Sequence, residues 1–358
     1  MTLHEEIKAL CQGAKDASYK IGLASEDERN KLLTDIARNI RASKGEIILA
    51  NKIDLENAKE AGISDAMLDR LMLNEGRIDA IADAILEIVS LPDPLNKSEL
   101  STRPNGLLIK KQAVPLGVVG MIYEARPNVT PDAATLSLKS GNAVVLRGGK
   151  EAINSNKATV KIIGDTLESN GFDRRAVSLI ENTTRDSANE LMNMRGYIDV
   201  LIPRGGKGLI KNVVENSTVP VIETGAGNCH LYVDESADME VALSVAINAK
   251  CQRPSVCNAI ETILVHKSVA HDFLPKFYEA TRKYALEFRG CDDTCTILKD
   301  ISPATEEDFA TEYDDYIVSV KVVGDVFEAV SHIRKYSTGH SEAIITENMK
   351  NADEFLAS

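Results

Sequence analysis

Apolar residues in the first 90 positions recur every three or four residues, which is the spacing of helices with one buried face. Before one such run, Ser25 and Glu28 have the spacing of a capping box. After another run, the stretch Leu91-Pro-Asp-Pro94 ends the periodicity. The pattern predicts helices in series over residues 1–90, with apolar stripes at Leu33, Ile36, Ala37 and Ile40, and at Ile78, Ile81, Ile85 and Ile88.

From about residue 105 the pattern changes to short apolar runs that are separated by helical stretches. Thr130-Pro131 is typical of a helix start, and Gly141 and Gly171 are typical of helix ends. Continuous apolar strands that alternate with helices indicate parallel sheets covered on both faces. The predicted strands are residues 107–112, 116–123, 143–147, 176–180, 198–202, 219–223, 230–234, 259–265, 316–323 and 342–346.

Length and composition narrow the class of protein. The chain has 358 residues, enough for two or three domains, and 44% of them are apolar, enough for a sizeable core. No apolar run approaches the ~18 residues of a membrane span, and residues 1–8 do not resemble a signal peptide. The six cysteines form neither a disulfide framework nor a metal motif, so we expect a cytoplasmic protein without a metal or a membrane partner.

The charge balance argues against a nucleic-acid partner. The chain has 41 Lys and Arg against 54 Asp and Glu, a net charge of −13, and it has no tryptophan. An anionic ligand must therefore be bound by local basic turns.

Two glycine-rich turns repeat the tetrapeptide Arg-Gly-Gly-Lys, at residues 147–150 and 204–207, and each follows a predicted strand. Glycine lets a ligand approach the backbone, while helix N-termini and basic side chains favour anions. Neither turn fits the P-loop pattern GxxxxGK[ST], and GxGxxG is absent. The two turns predict a phosphate-bearing ligand and leave open a dinucleotide that binds without that fingerprint.

A third glycine-rich turn follows Glu223, which stands at the end of a predicted strand. A carboxylate in this position can act as a general base or orient a cofactor. It can equally be a solvated acid before a loop. Local sequence leaves both interpretations open.

Cys251 and Cys257 flank the basic turn Gln252-Arg-Pro-Ser-Val256. A nucleophilic thiol needs partial exposure and a cationic neighbour, which this turn offers to Cys257 through Arg253. Free cysteines are, however, more often buried and structural, so the local sequence does not decide between the two roles. The Cys291–Cys295 pair and the scattered histidines form no metal or catalytic motif.

Four segments, considered together, are far more specific than any one motif. They are residues 114–152, 202–210, 223–238 and 252–266, and they include Glu-Ala-Arg-Pro-Asn at 124–128 and Arg-Pro-Ser-Val-Cys-Asn-Ala at 253–259. The chain resembles, from its N-terminal helices to its last residues, the gamma-glutamyl phosphate reductase family. That family, also called glutamate-5-semialdehyde dehydrogenases, lies within the aldehyde dehydrogenase superfamily.

The resemblance implies a fold and a division into domains. We expect two parallel-sheet α/β domains and a β-hairpin oligomerisation arm, preceded by N-terminal helices. Residues 1–96 and 116–226 would form the NADP-binding domain, residues 97–115 the arm, and residues 227–358 the catalytic domain.

The resemblance also implies roles for catalytic residues. Cys257 matches the family's thiol nucleophile, and Glu223 matches the general base of the relatives that oxidise aldehydes. Asn128 lies in the region of an oxyanion-stabilising asparagine. Arg126 and Arg253 are candidates for binding the phosphate or carboxylate of the substrate, with pairing to nearby acids as the alternative.

The implied cofactor is NADP(H). Arg147, Gly148 and Lys150 fall where relatives hold the adenosine ribose, and Lys150 lies near the position of a glutamate in relatives that prefer NAD. A lysine there favours a 2′-phosphate, and hence NADPH. The residues Gly205, Gly206 and Lys207 match the turn under the cofactor pyrophosphate, and Gly225 belongs to the third turn of the same site.

The implied reaction is the NADPH-dependent reduction of L-glutamyl 5-phosphate to L-glutamate 5-semialdehyde and phosphate, through a thioester on the cysteine. This is the second step of proline biosynthesis, in which glutamate 5-kinase supplies the substrate and the enzyme is a homo-oligomer. One alternative is an aldehyde-oxidising dehydrogenase. Another is a truncated, weakly active or inactive protein that binds NADP or a partner, because family members extend several tens of residues beyond Ser358.

Overall fold

The computed structural model describes residues 2–63, 65–124, 126–223 and 227–358, with the side chains of all of these except residues 65, 66 and 207. The chain divides into two compact units, Met1–Thr224 and Gly225–Ser358. Each unit has its own parallel sheet and its own buried apolar core.

The first unit begins with helices in series, as the apolar spacing predicts. The predicted capping box is confirmed, since the Glu28 N–H bonds to the Ser25 hydroxyl and the Ser25 N–H bonds to the Glu28 carboxylate. Leu33, Ile36 and Ile40 are fully buried. The helices are α1 (Leu3–Leu23), α2 (Glu26–Ala42), α3 (Lys44–Glu60), α4 (Asp65–Leu71) and α5 (Glu75–Ser90).

An antiparallel hairpin separates these helices from the first parallel sheet. Its strands are β1 (Ser98–Thr102) and β2 (Leu108–Gln112). The Arg103 N–H bonds to the Leu107 carbonyl at 2.8 Å, and Gly106 adopts a φ of +84° in the turn. Almost all of the strand residues are exposed, so the hairpin adds little to the core of its unit.

The first parallel sheet has the strand order β5-β4-β3-β6 in the described part of the chain. Its strands are β3 (Val118–Tyr123), β4 (Ala143–Arg147), β5 (Val177–Leu179) and β6 (Val200–Arg204). The connecting helices are α6 (Val129–Lys139), α7 (Ile153–Ser169), α8 (Arg185–Met192) and α9 (Lys207–Asn216). The parallel sheet predicted from continuous apolar runs is confirmed, and Gly141 and Gly171 follow α6 and α7 with positive φ.

The strand predicted at residues 219–223 is wrong. This segment makes a single parallel bridge, between Leu201 and Val221. The Leu201 N–H bonds to the Pro220 carbonyl, and the Ile222 N–H bonds to the Leu201 carbonyl. Because Pro220 has no N–H, it cannot extend this ladder. The segment therefore runs along the edge of β6 without becoming a strand.

The second unit contains a parallel sheet with the order β10-β9-β11-β8-β7-β12 among its described residues. The central strand β8 is entirely buried. In chain order the elements are β7 (Cys229–Val233), α10 (Met239–Cys251), β8 (Ile260–His266), α11 (Lys267–Thr281), β9 (Glu287–Gly290), α12 (Asp292–Ile297), β10 (Ser302–Pro303), α13 (Glu306–Phe309), β11 (Ile317–Val323), α14 (Val326–Tyr336), β12 (Glu342–Ile345) and α15 (Met349–Ala357).

Within the described ranges, no helix combines the length and the apolar character that crossing a membrane requires.

Candidate functional site

The two Arg-Gly-Gly-Lys turns lie at the carboxyl edge of the first sheet, on either side of β3. The strand register places Ile122 opposite Arg147 and Tyr123 opposite Arg204. The chain adds β4 and β5 on one side of β3 and then β6 on the other, so the strand order reverses at this point. Open parallel sheets bind ligands outside the carboxyl ends of their strands, at such a reversal.

In the first turn, the Arg147 side chain is held by the segment that follows β5. Its Nη2 donates to the carbonyls of Thr183 and Thr184, both at 2.7 Å, and its Nε donates to the Ser187 hydroxyl at 3.3 Å. Partial burial lowers the pKa of this guanidinium. Lys150, by contrast, is exposed at the start of a short 3-10 turn. Of these two cations, Lys150 is the more accessible to a ligand.

Gly148, in the same turn, is required by packing. A Cβ at this position would lie 2.4 Å from the Asn156 amide nitrogen and 3.0 Å from the Tyr123 ring. The Tyr123 and Thr130 hydroxyls are 2.6 Å apart, and Thr130 donates to the Asn156 carbonyl oxygen at 2.7 Å. The absence of a side chain at Gly148 therefore makes room for a buried polar cluster.

The second turn places Gly206 at the N-terminus of α9, where its N–H donates to the Glu124 carboxylate at 3.0 Å. The Glu124 N–H in turn donates to the Arg204 carbonyl at 3.2 Å. A Cβ on Gly205 would lie 2.7 Å from the Glu124 carboxyl carbon. The carboxylate thus lies where a helix N-terminus favours an anion. Sequence reasoning missed Glu124, because no motif pairs residues 124 and 206.

The donors at this edge fit the phosphates of an anionic dinucleotide. A helix N-terminus and the exposed ammonium of Lys150 lie on neighbouring turns of one sheet edge. The turns begin two strand spacings apart, which is about 10 Å. An elongated ligand with separated phosphate groups matches this spacing, and a single small anion does not span it.

The loop between β3 and α6 carries two more candidates, Arg126 and Asn128, and both are exposed. The Arg126 N–H donates to the Glu124 carbonyl at 2.7 Å. Asn128 immediately precedes α6, and its side-chain nitrogen is 3.5 Å from the Asp132 carboxylate. Both candidates therefore share a short loop with Glu124.

Glu223 is exposed and directly follows the segment that runs along β6. Because Val221 pairs in parallel with Leu201 of β6, Glu223 lies toward the same edge of the sheet as the two basic turns, although the segment before it is not a strand. The Lys207 side chain and Gly225 lie outside the described residues.

In the second unit, Cys257 is exposed on the loop between α10 and β8. Cys251, at the end of α10, is buried, and burial raises the pKa of its thiol. The two cysteines that flank the basic turn therefore differ in the property that a nucleophile requires, which is access to solvent and substrate.

Two residues that sequence reasoning missed hold the backbone of Cys257. The Cys229 thiol donates to the Cys257 carbonyl at 3.2 Å. Gly227 packs so closely that a Cβ would lie 1.5 Å from the same carbonyl oxygen. Burial raises the pKa of Cys229 to about 12, so this thiol stays protonated and can donate. Both contacts join residues about 30 positions apart, for which the sequence gives no signal.

A buried ion pair joins the two ends of this loop. Lys250 is the penultimate residue of α10 and Glu261 is the second residue of β8, and their charged atoms are 2.6 Å apart. Their side chains are 0% and 1% exposed. Burial raises the pKa of Glu261 to about 7 against the opposing effect of the Lys250 ammonium. Removing either partner would leave an uncompensated buried charge.

The segment between α13 and β11 links these supports. The Glu312 carboxylate accepts the Gly227 N–H at 2.7 Å, and the Glu261 carboxylate accepts the Asp314 N–H at 3.4 Å. The loop that carries Cys257 is therefore fixed at both ends by the Lys250–Glu261 pair, and its carbonyl is fixed by Cys229 and Gly227.

A cleft of about 210 Å³ lies beside Cys257 in the same unit. Its polar lining residues are Asn248, Gln252, Arg253 and Asn258. Arg253 is exposed and is the cation of this cleft among the described residues. Three amides and one guanidinium can together bind a carboxylate or phosphate. No group of three or more metal-binding side chains occurs in the described part of the chain.

The chain combines a parallel sheet whose strand order reverses with an exposed cysteine on a loop. Comparison with known proteins shows which class of enzyme has this combination. A family model described as "Aldehyde dehydrogenase family" matches residues 2–317. The chain therefore belongs to the aldehyde dehydrogenase family, whose members are oxidoreductases that use a nicotinamide cofactor.

Within this family the similar proteins are gamma-glutamyl phosphate reductases. The protein of that name from Heliobacterium modesticaldum is 52% identical over 356 residues, which are 99% of this chain and 85% of the relative. The one from Clostridium beijerinckii is 53% identical over 346 residues, 96% of this chain and 84% of the relative. The crystal structure of gamma-glutamyl phosphate reductase from Thermotoga maritima is 46% identical, with a TM-score of 0.95 over 98% of this chain and 84% of that one. The predicted fold class and family are confirmed, and the chain is an oxidoreductase that acts on a small molecule.

Proposed function

We propose that this chain reduces L-glutamyl 5-phosphate to L-glutamate 5-semialdehyde and phosphate, with NADPH as the reductant. The observation that carries the proposal is the exposed Cys257, on a loop fixed at both ends, in a chain about half identical to gamma-glutamyl phosphate reductases. The reaction would be the second step of proline biosynthesis in the cytoplasm. Glutamate 5-kinase is the proposed supplier of the substrate.

Each chemical step of the proposed reaction is assigned to particular residues. The Cys257 thiolate attacks the acyl carbonyl and phosphate leaves, which gives a thioester. The Cys257 N–H and the Asn128 amide donate to the oxyanion that forms, and such donors contribute about 3 kcal/mol each in a preorganised site. A nicotinamide, if held by the turns of the first sheet, would supply the hydride that converts the thioester to a thiohemiacetal, whose C–S bond would then break to release the aldehyde and the Cys257 thiolate. Glu223 is proposed as a general base, as in the relatives that oxidise aldehydes.

Binding of the substrate is assigned to Arg253 and Arg126. Arg253 lines the cleft beside Cys257, where the amides of Asn248 and Asn258 can accompany it on a carboxylate. Arg126 lies on the loop after β3, which also carries Asn128.

The cofactor is assigned to the carboxyl edge of the first sheet. Lys150 is proposed to bind the 2′-phosphate of NADPH, with Arg147 and Gly148 shaping that turn. Gly205, Gly206 and Lys207 are proposed to lie under the pyrophosphate, and Gly225 is a further candidate for cofactor binding. Residues 1–96 and 116–226 would then form the NADP-binding domain and residues 227–358 the catalytic domain.

Residues 97–115 are proposed to be an oligomerisation arm. The hairpin exposes Leu100, Leu107 and Leu108, which are more than half exposed in this chain. A second copy of the chain would cover such apolar residues. Sedimentation of the wild type against Leu108→Asp tests this assignment, and an unchanged mass would contradict it.

The test of function is the reverse reaction, followed as reduction of NADP⁺ by glutamate 5-semialdehyde. We expect turnover that depends on inorganic phosphate. Turnover without phosphate would instead indicate an aldehyde-oxidising dehydrogenase. Binding of NADP(H) with no turnover under either condition would indicate a binding protein.

A further inference from the structure

An exposed histidine stands beside the loop of Cys257, on the turn between α14 and β12. This turn is fixed on the segment that precedes and begins β7. The Asn228 N–H bonds to the Thr338 hydroxyl at 3.0 Å, and the His230 N–H bonds to the Ser341 carbonyl at 3.3 Å. Gly339, with a φ of +71°, lets the chain reverse just before His340. The position of His340 is therefore determined by β7.

The Cys229 thiol connects this histidine to Cys257. Its sulfur is 3.8 Å from His340 Nδ1 and 3.2 Å from the Cys257 carbonyl oxygen. The imidazole therefore lies at most about 7 Å from that carbonyl, which is the sum of the two distances. His340 Nδ1 is also 2.8 Å from the Ser341 hydroxyl. No hydrogen-bond partner of Nε2 occurs among the described residues, and the side chain is exposed.

The proposed reaction needs a proton at the oxygen of the leaving phosphate. When the thiolate attacks an acyl phosphate and the C–O bond breaks, phosphate would leave as a trianion unless a proton reaches it. Histidine is the side chain that most readily gives and takes a proton near neutral pH. Such a donor within reach of the leaving oxygen is expected to accelerate the step by roughly 10²–10⁴-fold.

We propose that His340 is a catalytic residue that binds the phosphate of the substrate and protonates it as it leaves. The proposal rests on the proposed function. The thiolate of Cys257, the acyl phosphate dianion and the imidazolium of His340 react to the thioester, HPO₄²⁻ and neutral imidazole. One S–C bond forms and one C–O bond breaks, and no electrons are transferred in this step. In reverse, the neutral imidazole takes the proton from HPO₄²⁻ as phosphate attacks the thioester.

The reverse reaction separates this role from an effect on the thiol. Mixing the protein with glutamate 5-semialdehyde and NADP⁺ without phosphate gives at most one NADPH per site, because the thioester cannot be released without phosphate. Adding inorganic phosphate starts turnover. His340→Gln, which can donate a hydrogen bond but cannot transfer a proton, should keep the size and rate of the first burst within about twofold. Its phosphate-dependent turnover should fall roughly 100-fold or more.

Two further variants make the result decisive. His340→Asn repeats the test with a shorter side chain, and His271→Gln makes the same change at an exposed position on α11. His271→Gln should match the wild type in both phases. If the burst of His340→Gln is slowed as much as its turnover, the proposal is wrong and His340 acts on the thiol instead. If its turnover is unchanged, His340 has no catalytic role. If the wild type shows no phosphate-dependent turnover, the proposed function itself fails, and this proposal fails with it.

Discussion

The ammonium of Lys250 and the carboxylate of Glu261 lie 2.6 Å apart in the core of the second unit, at the two ends of the loop that carries Cys257. Breaking such a pair from one side costs about 3–5 kcal/mol of unfolding free energy. We expect that loss for Lys250→Met in urea unfolding above pH 7, where ionised Glu261 would stay buried without its partner. The double variant Lys250→Met/Glu261→Leu should recover most of it, because no unpaired charge remains. A loss below 1 kcal/mol in Lys250→Met would show that water reaches the pair.

The same pair predicts a pH dependence of stability. Burial raises the pKa of Glu261 from about 4.5 to about 7, so the native state holds this proton more tightly than the unfolded chain does. The contribution of Glu261 to the unfolding free energy should therefore fall as the pH rises from about 4.5 to about 7, and stay constant above that. The difference in unfolding free energy between the wild type and Glu261→Gln measures this contribution. A difference that grows with pH across this window would contradict it.

Replacing Cys257 by serine should abolish turnover, because a hydroxyl is a far weaker nucleophile than a thiolate. We expect a loss of roughly 10⁴-fold or more in kcat. Binding of NADPH, measured by fluorescence, should remain close to that of the wild type. Cys251→Ser is the matched control, since that thiol is buried at the end of α10. Activity retained in Cys257→Ser and lost in Cys251→Ser would show that the wrong cysteine has been assigned.

Gly227→Ala should displace the nucleophile without removing it. The new Cβ would meet the Cys257 carbonyl oxygen at 1.5 Å, so the loop must move. A displacement of about 1 Å at a reacting group can cost 10²-fold in rate. We expect kcat to fall by about that factor and the rate of Cys257 alkylation by iodoacetamide to change. Gly45→Ala, with no atom within 4 Å of its Cβ, should leave both unchanged.

Lys150→Glu should reverse the preference for the phosphorylated cofactor. A hydrogen bond to a charged group contributes about 1.5–3 kcal/mol, so losing it should lower the ratio of kcat/KM for NADPH over NADH roughly 10- to 100-fold. Lys110→Glu makes the same charge change on the exposed hairpin and should not alter the ratio. Equal kcat/KM for the two cofactors in the wild type would contradict the assignment.

Glu124→Gln should tighten cofactor binding. The Glu124 carboxylate bonds to the Gly206 N–H, where the pyrophosphate is proposed to lie, and two anions at that distance repel each other. Removing about 1 kcal/mol of repulsion lowers the Kd for NADP⁺ about fivefold. Glu99→Gln, which makes the same charge change on β1, is the control. Weaker binding in Glu124→Gln would show that the carboxylate shapes the turn rather than competing for it.

The features that could be predicted from sequence are those that repeat locally. The stripe of Leu33 and Ile36 and the continuous run of β4 were predictable because burial imposes a period on each element. Residues 219–223 look equally apolar, yet Pro220 stops the ladder there. Short strands such as β10 carry no period at all.

In the candidate site, too, local features could be predicted from sequence and contacts between distant residues could not. The exposed cysteine on a basic turn was a visible candidate, but its supports were not. Cys229 and His340 lie near Cys257 only because β7 lies between β8 and β12 in the sheet. The order of strands in a sheet cannot be predicted from local sequence. The packing of Gly148 against Tyr123 and Asn156 was equally invisible in the local sequence.

The position of β12 beside β7 has a consequence for how the chain is made. A ribosome releases residues 227–261 long before residues 337–345, and domains fold as units during synthesis. Until β12 has emerged, the turn that carries His340 has no place against β7. The nascent chain therefore presents Cys257 before its surroundings are complete, and they become complete only when β12 pairs with β7.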